Sequence, residues 1–235
     1  MTIEVLFAEV CNLCGDAQNA AYLKQTLPDA EVIDTSLPDR PFFADHTPDM
    51  IYMGNMSERI QRRVVETLRP YRDRLQELID GGTVMLFTGN AWEVLTKHIS
   101  YVTEKIELDG LGLLDLTVKT DWFDRYNGKV LGRCGDIDVI GFRSQFSMVH
   151  GDNSQCAFLK VERGIGVNPE SKYEGVRVNN LFGTAVLGPI LPNNPLFTEY
   201  LISLTGTQAQ AAFREQAMAA YEQRLKEFRD PKTEF

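Results

Sequence analysis

Residues 83–95, TVMLFTGNAWEVL, combine an apolar strand with a glycine-containing turn and a helical pattern. In α/β enzymes such a turn often carries a nucleophile, because it lifts one side chain above the carboxyl edge of the sheet beside a helix N-terminus. Here the apex reads Thr88-Gly89-Asn90, with neither cysteine nor serine at its tip. The segment therefore predicts the geometry of a nucleophile elbow without the nucleophile.

Cysteines at positions 11 and 14 form the other motif that could do chemistry, because a CxxC pair after a first strand can be a redox site or half a zinc site. A zinc site needs four ligands, and the remaining Cys134 and Cys156 are single and far apart. We predict four thiols, no metal site and no cofactor.

A rebuilt catalytic triad would need a base as well as a nucleophile. Thr88 lies one position from the apex, and the chain has only three histidines. His46 is predicted in a loop, His98 at the exposed end of the elbow helix, and His150 after a strand. We expect none of them to act as a catalytic base.

The first half of the chain alternates short apolar runs with helical patterns. Strands are predicted at residues 3–9, 30–34 and 50–53, and helices at 19–26 and 57–79, the second capped by Ser57, broken near Pro70 and closed by Gly81-Gly82. Such spacing indicates an α/β fold with a mostly parallel sheet, whose ligand site lies outside the carboxyl ends of the strands.

The second half of the chain has a different residue pattern. Residues 110–188 contain short β-type pieces separated by Gly, Asp and Asn, and residues 195–204 and 207–229 have helical patterns. Without a linker or an internal repeat, we predict one domain over residues 1–235, with a C-terminal helical extension at about 207–230.

Composition limits the partners. A net charge of −9 provides no basic surface for nucleic acid or anionic membrane, and no apolar run reaches the roughly 18 residues of a membrane span. We therefore expect a cytoplasmic protein, without membrane insertion, that binds small molecules or other proteins.

Several blocks of sequence share the order and spacing of a known family. They are NLCGDAQN (12–19), MGNMSERIQ (53–61), LFTGNAWEVL (86–95), GLGLLDLTVKTDWFDRYNG (110–128), VIGFRSQ (139–145) and LFGTAVLGPILPNNPLFTEYLI (181–202). Together they resemble the class I glutamine amidotransferases of the cobyric-acid-synthase type, and most closely the glutaminase subunits of lipid II isoglutaminyl synthase. The resemblance implies a flavodoxin-like, mostly parallel sheet flanked by helices, with an additional β-rich segment and C-terminal helices.

In that family a cysteine at the elbow attacks the glutamine side-chain amide, a histidine in a late loop acts as base, and glycine-rich N–H groups stabilise the oxyanion. Aligned on the blocks, the cysteine position falls on Gly89 and the histidine position on Leu187. Glycine reaches positive φ without strain, so Gly89 can preserve the elbow geometry while the reaction is lost.

The resemblance also implies which neighbours are kept and which have changed. Asp16 matches an aspartate that is thought to complete the triad in the isoglutaminyl synthase subunits, and Arg125 matches a retained arginine. The acidic and histidine positions of the block at 139–145 are filled by Arg143 and Gln145. Concerted changes at one site predict the loss of an activity.

The oxyanion segment is altered as well. Gly54 remains, but Asn55 and Met56 stand where the family has further glycines. We expect Gly54, Asn55, Asn90 and Arg125 to form whatever ligand-binding site is left.

These comparisons favour a non-catalytic or regulatory subunit of an amide ligase of peptidoglycan or corrinoid type. The expected partner is a Mur-ligase-like or other ATP-dependent ligase, or a second copy, docked on the apolar surface at residues 111–126 or on the C-terminal helices. Two alternatives remain: an active amidotransferase subunit that uses non-standard residues, and a small-metabolite-binding module in the vacated pocket.

Overall fold

The structure is a computed structural model that describes residues 1–235. Strands β1–β14 span Thr2–Leu6, Glu31–Thr35, Met50–Met53, Val84–Thr88, Thr96–Tyr101, Ile106–Asp109, Leu114–Thr120, Tyr126–Cys134, Ile137–Gln145, Ser147–His150, Leu159–Arg163, Tyr173–Glu174, Val176–Val178 and Leu181–Thr184. Helices α1–α6 span Ala17–Thr26, Glu58–Leu68, Arg72–Asp80, Ile190–Asn193, Pro195–Ser203 and Arg214–Arg229. Short 3-10 helices lie at Leu13–Gly15, Phe42–Ala44, Arg69–Tyr71 and Trp92–Leu95.

The central sheet has six strands in the order β13-β14-β4-β3-β1-β2. All neighbours pair in parallel except β13 and β14. Alternate residues of β4 enter two apolar clusters, Met85 and Phe87 in one and Val84 and Leu86 in the other. Both faces are thus buried, which explains why this strand reads as a continuous apolar run. The predicted mostly parallel α/β sheet is confirmed.

Two smaller sheets form the β-rich part, in the orders β10-β7-β5-β6 and β12-β11-β8-β9. The hairpin β8–β9 pairs Tyr126 with Gln145 at its open end. An isolated bridge from Phe142 to Leu187 joins this hairpin to the loop that follows β14. Residues from the hairpin therefore reach the carboxyl edge of the central sheet.

The predicted break in the long second helix is confirmed. Ser57 caps α2 through its side chain, which accepts a hydrogen bond from the N–H of Ile60 at 3.4 Å. Pro70 lies in the 3-10 turn between α2 and α3, where its missing N–H removes a helical hydrogen bond, and Gly81 caps α3. None of the helices is long and apolar enough to cross a lipid bilayer.

The helix predicted after the elbow is wrong beyond one turn. Only Trp92–Leu95 form a 3-10 helix, and the chain then enters β5, so His98 lies on a strand. Thr96, Ile99 and Tyr101 are buried in β5, and the spacing of three between the first two coincides with a register shift between Thr96 and His98. Pairing with both β6 and β7 outweighs the helical pattern, because β5 needs partners on each side to satisfy its backbone.

The last helix begins later than predicted. Helix α6 starts at Arg214 rather than near residue 207, after Phe213 adopts a left-handed φ of 51°. Ala211 and Ala212 precede the helix, and Ala211 is buried on the cluster beside the central sheet. The helix itself contributes Tyr221 and Phe228 to a separate small cluster.

Candidate functional site

The elbow has the backbone geometry expected of it. Strand β4 ends at Thr88, and the next residue, Gly89, has φ 62°. Gly89 borders a cleft of about 190 Å³, and the distant Leu187 lines the same cleft. Asn55, Asn90 and Arg125 also line it, whereas Asp16 and Gly54 are buried outside its lining.

The Asn55 side chain fills the space in which a side chain at position 89 would stand. A Cβ atom added to Gly89 would overlap Oδ1, Cβ and Cγ of Asn55. Glycine is therefore required at position 89 for two independent reasons, its positive φ and the volume that Asn55 occupies.

Two asparagines close the backbone around this point. Asn55 Oδ1 accepts a hydrogen bond from the Asn90 N–H at 3.0 Å, and Asn90 Oδ1 accepts one from the Met56 N–H at 3.0 Å. Asn90 Nδ2 also donates to the Met56 carbonyl at 2.8 Å. We call these three bonds the asparagine clasp. In hydrolases with this elbow, the N–H of the residue after the nucleophile stabilises the oxyanion, and here Asn55 occupies that donor.

Asp16 supports the asparagine clasp through hydrogen bonds to its neighbours. Its Oδ2 accepts hydrogen bonds from the Asn55 N–H at 2.8 Å and the Thr88 hydroxyl at 2.6 Å, and its Oδ1 accepts one from Asn19 Nδ2 at 3.2 Å. Burial raises the pKa of Asp16 to about 6, although these donors oppose the shift. The carboxylate holds Asn55 and Thr88 in place and contacts no histidine.

Leu187 stands at the expected base position and is apolar and buried. Its N–H donates to the Phe142 carbonyl at 2.8 Å, which fixes the loop on the β8–β9 hairpin. None of the three histidines lines the cleft. On its other side, Leu187 borders a hollow of about 560 Å³ between α6 and the hairpin.

Arg143 is buried and directed away from the cleft. Its guanidinium donates to the carbonyls of Ile165 and Gly166, and its Nε donates to Gln145 Oε1 at 3.1 Å. Burial lowers the pKa of Arg143, and the nearby carboxylate of Glu174 opposes that shift. Arg143 therefore ties strands together instead of facing a ligand.

Glu93 also lines the cleft, although it was not among the site residues predicted from the sequence. It accepts hydrogen bonds from Gln61 Nε2 at 2.8 Å and from the Ser147 hydroxyl. Burial raises its pKa to about 7. The available signal was an ionisable residue inside the apolar stretch AWEVL, directly after the elbow.

Replacing Glu93 with glutamine should change how stability depends on pH. Folding raises this pKa from 4.5 to about 7, so the folded state binds the proton more tightly and loses stability as pH rises through that interval. We expect the free energy of unfolding of Glu93→Gln, relative to the unmodified protein, to increase between pH 5 and pH 8 by on the order of 3 kcal/mol. Urea unfolding at several pH values measures it. Glu66→Gln, at an exposed position, is the control, and an equal pH dependence in both variants would contradict the prediction.

The CxxC pair consists of two separate thiols. Cys11 is buried, with Sγ 3.8 Å from Met56 Sδ, and burial raises its pKa to about 12. Cys14 borders the cleft, accepts a hydrogen bond from Asn55 Nδ2 at 3.5 Å, and also has a pKa raised by burial. All four cysteines are free, and no cluster of ligating side chains could hold a metal ion.

Arg125 forms the outer wall of the cleft. Its Nη2 donates to Ser144 Oγ at 2.8 Å, and its guanidinium lies 5.4 Å from the centre of the Phe146 ring. Cation–π stacking of this kind holds the side chain across the cleft mouth. The structure thus brings together five of the sequence-predicted positions and leaves Asp16 and Gly54 as support.

Comparison with known proteins agrees with this geometry. No protein-family profile matches the chain. A solved glutamine amidotransferase structure aligns with a TM-score of 0.55 at 13% identity, over 87% of this chain and 99% of that one. The chain therefore has the fold of a glutamine amidotransferase, as the sequence blocks predicted.

The sequence relatives are more specific. The chain is 28% identical over 206 residues to "Lipid II isoglutaminyl synthase (glutamine-hydrolyzing) subunit GatD" of Staphylococcus aureus (strain N315), covering 86% of this chain and 83% of the relative. The protein of the same name from Streptococcus pneumoniae (strain ATCC BAA-255 / R6) is 24% identical over 200 residues, with 83% and 76% covered. The chain is thus similar in sequence to GatD subunits over most of its length.

Proposed function

We propose that this chain is a glutamine amidotransferase-like subunit without glutaminase activity, which serves an amide-forming ligase as a non-catalytic or regulatory partner. One observation carries the proposal: Asn55 occupies the volume that a nucleophile at position 89 would need. A thiol cannot stand at this elbow while Asn55 keeps its position.

The remaining chemical requirements point the same way. Hydrolysis of a carboxamide needs a base to take and return protons, and the base position holds Leu187, which has no proton to exchange. It also needs N–H donors for the tetrahedral oxyanion, and the donor after the elbow is occupied by the asparagine clasp. An elbow without a thiol, a base position without a proton to exchange and an occupied donor together support the loss of activity.

The kind of ligase follows from the relatives. Both are named as subunits of lipid II isoglutaminyl synthase. These names favour an ATP-dependent, Mur-ligase-like partner that acts on a peptidoglycan precursor, and they do not favour a corrinoid enzyme. A chain that keeps the fold without the chemistry can still dock on a partner subunit.

Cys14 is the one observation that favours an active enzyme with non-standard residues, because it is the only thiol in the cleft lining. Its raised pKa keeps it protonated, and no histidine in the cleft could activate it. The alternative of metabolite binding rests on the cleft itself, which stays open beside Arg125 and Glu58. Neither alternative explains why Asn55 closes the elbow.

Ammonia release from glutamine by the purified protein tests the lost activity. We expect background rates, since removal of a catalytic triad costs about 10⁶-fold in turnover in a serine hydrolase. Affinity purification from the native cell, performed in parallel, should recover an ATP-dependent ligase. Clear hydrolysis of glutamine would overturn the proposal. If the protein releases no ammonia and recovers no ligase, the result favours metabolite binding in the cleft instead.

A further inference from the structure

A short turn at residues 121–125 presents an unusually exposed aromatic side chain. Phe123 is 89% exposed, more than any other large apolar residue of the chain, and the next is Phe213 at 67%. A phenyl ring in water is unfavourable, and an aromatic side chain that becomes buried in a pocket of a partner can contribute a large share of the binding energy. Leu111 and Leu114, within the predicted docking segment 111–126, are buried instead, so Phe123 is the exposed large apolar residue of that segment.

The turn is held rigidly. Asp121 Oδ1 accepts hydrogen bonds from the Phe123 N–H at 3.1 Å and from the Thr103 hydroxyl at 2.9 Å. The Asp121 N–H donates to the Phe146 carbonyl at 2.9 Å. Because the backbone is already ordered, insertion of Phe123 into a partner would lose little conformational entropy.

A hollow of about 380 Å³ opens directly beside the same turn. Its apolar lining comes from Phe146, Met148 and Pro169, and Asp121 and Asp124 of the turn form part of its wall. Most residues that line the hollow are polar or charged, and the three apolar side chains are the ones that an inserted aromatic ring would contact. The exposed Phe123 ring and a hollow with these apolar contacts therefore lie side by side on one surface.

The charges around the hollow have both signs. Lys119 and Arg125 line the hollow together with Asp121, Asp124 and Glu170, and none of these five forms an ion pair within the chain. A surface of one sign would repel its own copy across a two-fold axis. A mixed surface lets each cation meet an anion when the same patch faces itself.

From these observations we infer that the patch binds a second copy of this chain. In the two-fold dimer, Phe123 of each protomer inserts into the hollow beside Phe146 and Met148 of its partner. The inference does not depend on the proposed function, because the dimer forms whether or not the cleft retains glutaminase activity.

Size-exclusion chromatography with light scattering tests the dimer. The chain has a mass of 26.6 kDa, and we expect the unmodified protein to have twice that mass. Phe123→Ser should raise the dimer dissociation constant on the order of 100-fold or more, because two anchors are lost per dimer. Phe213→Ser removes another exposed ring and should leave the dimer intact. A monomeric unmodified protein, or a dimer that survives Phe123→Ser, overturns the inference.

A mixing experiment separates insertion from general loss of apolar surface. Met148→Glu should also produce a monomer, by placing a charge in the hollow. When the two monomeric variants are mixed, the intact ring of one meets the intact hollow of the other, and a mixed dimer should form. Circular dichroism confirms that both are folded. If both variants are folded but remain monomeric after mixing, the inserted-ring geometry is wrong. It is also wrong if this patch binds an unrelated protein in place of a second copy.

Discussion

Replacing Gly89 with alanine is expected to lower the free energy of unfolding by about 2–5 kcal/mol. Part of this cost is the positive φ of 62°, which strains any residue with a Cβ. The larger part is the overlap of the new methyl group with Asn55, which cannot move without breaking its bonds to Asn90 and Cys14. Urea or thermal unfolding of the purified variant measures the loss.

Gly112 provides a matched control for this prediction. Its φ of 65° is nearly the same, but a Cβ added there meets nothing within 4 Å. Gly112→Ala should therefore cost only the backbone strain, roughly 1–2 kcal/mol. In the double variant Asn55→Gly/Gly89→Ala the overlap is gone, and a double-mutant cycle should give a favourable coupling of about 1–3 kcal/mol. Equal losses for the two alanine variants, or additive effects in the cycle, would contradict the assigned role of Asn55.

We expect that glutaminase activity can be restored only if Asn55 is replaced together with Gly89 and Leu187. Gly89→Cys combined with Leu187→His supplies a thiol and a base, yet we expect this pair to remain at background because Asn55 still occupies both the space of the thiol and the Asn90 N–H. Adding Asn55→Gly frees both. Ammonia release from glutamine should then rise by about 10²–10³-fold over the two-site variant, the usual value of one oxyanion donor.

A closely matched variant shows whether the thiol is responsible. Asn55→Gly/Gly89→Ala/Leu187→His has the same backbone and base without the sulfur, and it should stay at background. If the two-site variant hydrolyses glutamine as fast as the three-site variant, the asparagine clasp is not the barrier. A folded three-site variant without any gain would contradict the prediction that Asn55 is the barrier to the reaction.

The sequence predicted those features that depend on local chemistry. Strand β3 matches its predicted bounds, Met50–Met53, because a short apolar run between turn residues has few alternatives. The break at Pro70 and the positive φ at Gly89 follow from the backbone limits of proline and glycine. Pairing Gly89 with Leu187 across nearly a hundred residues required the spacing of the family blocks.

The rest depended on contacts between distant segments. Residues 96–101 form a strand because they pair with β6 and β7, which lie later in the chain. The family resemblance implied a glycine at the position of Asn55, but it did not predict that the Asn55 side chain enters the place of residue 89. The role of Glu93 likewise depends on Gln61 and Ser147, from two other elements.

The shared volume at positions 55 and 89 also makes the history of this elbow directional. In this backbone a side chain at either position excludes one at the other, so asparagine could settle at 55 only in a chain that already had glycine at 89, or in the same step. A later single substitution at 89 would meet a filled space and lower stability before it offered any chemistry. The change is therefore difficult to reverse. Selection could restore a side chain at position 89 only after the asparagine at position 55 had been replaced.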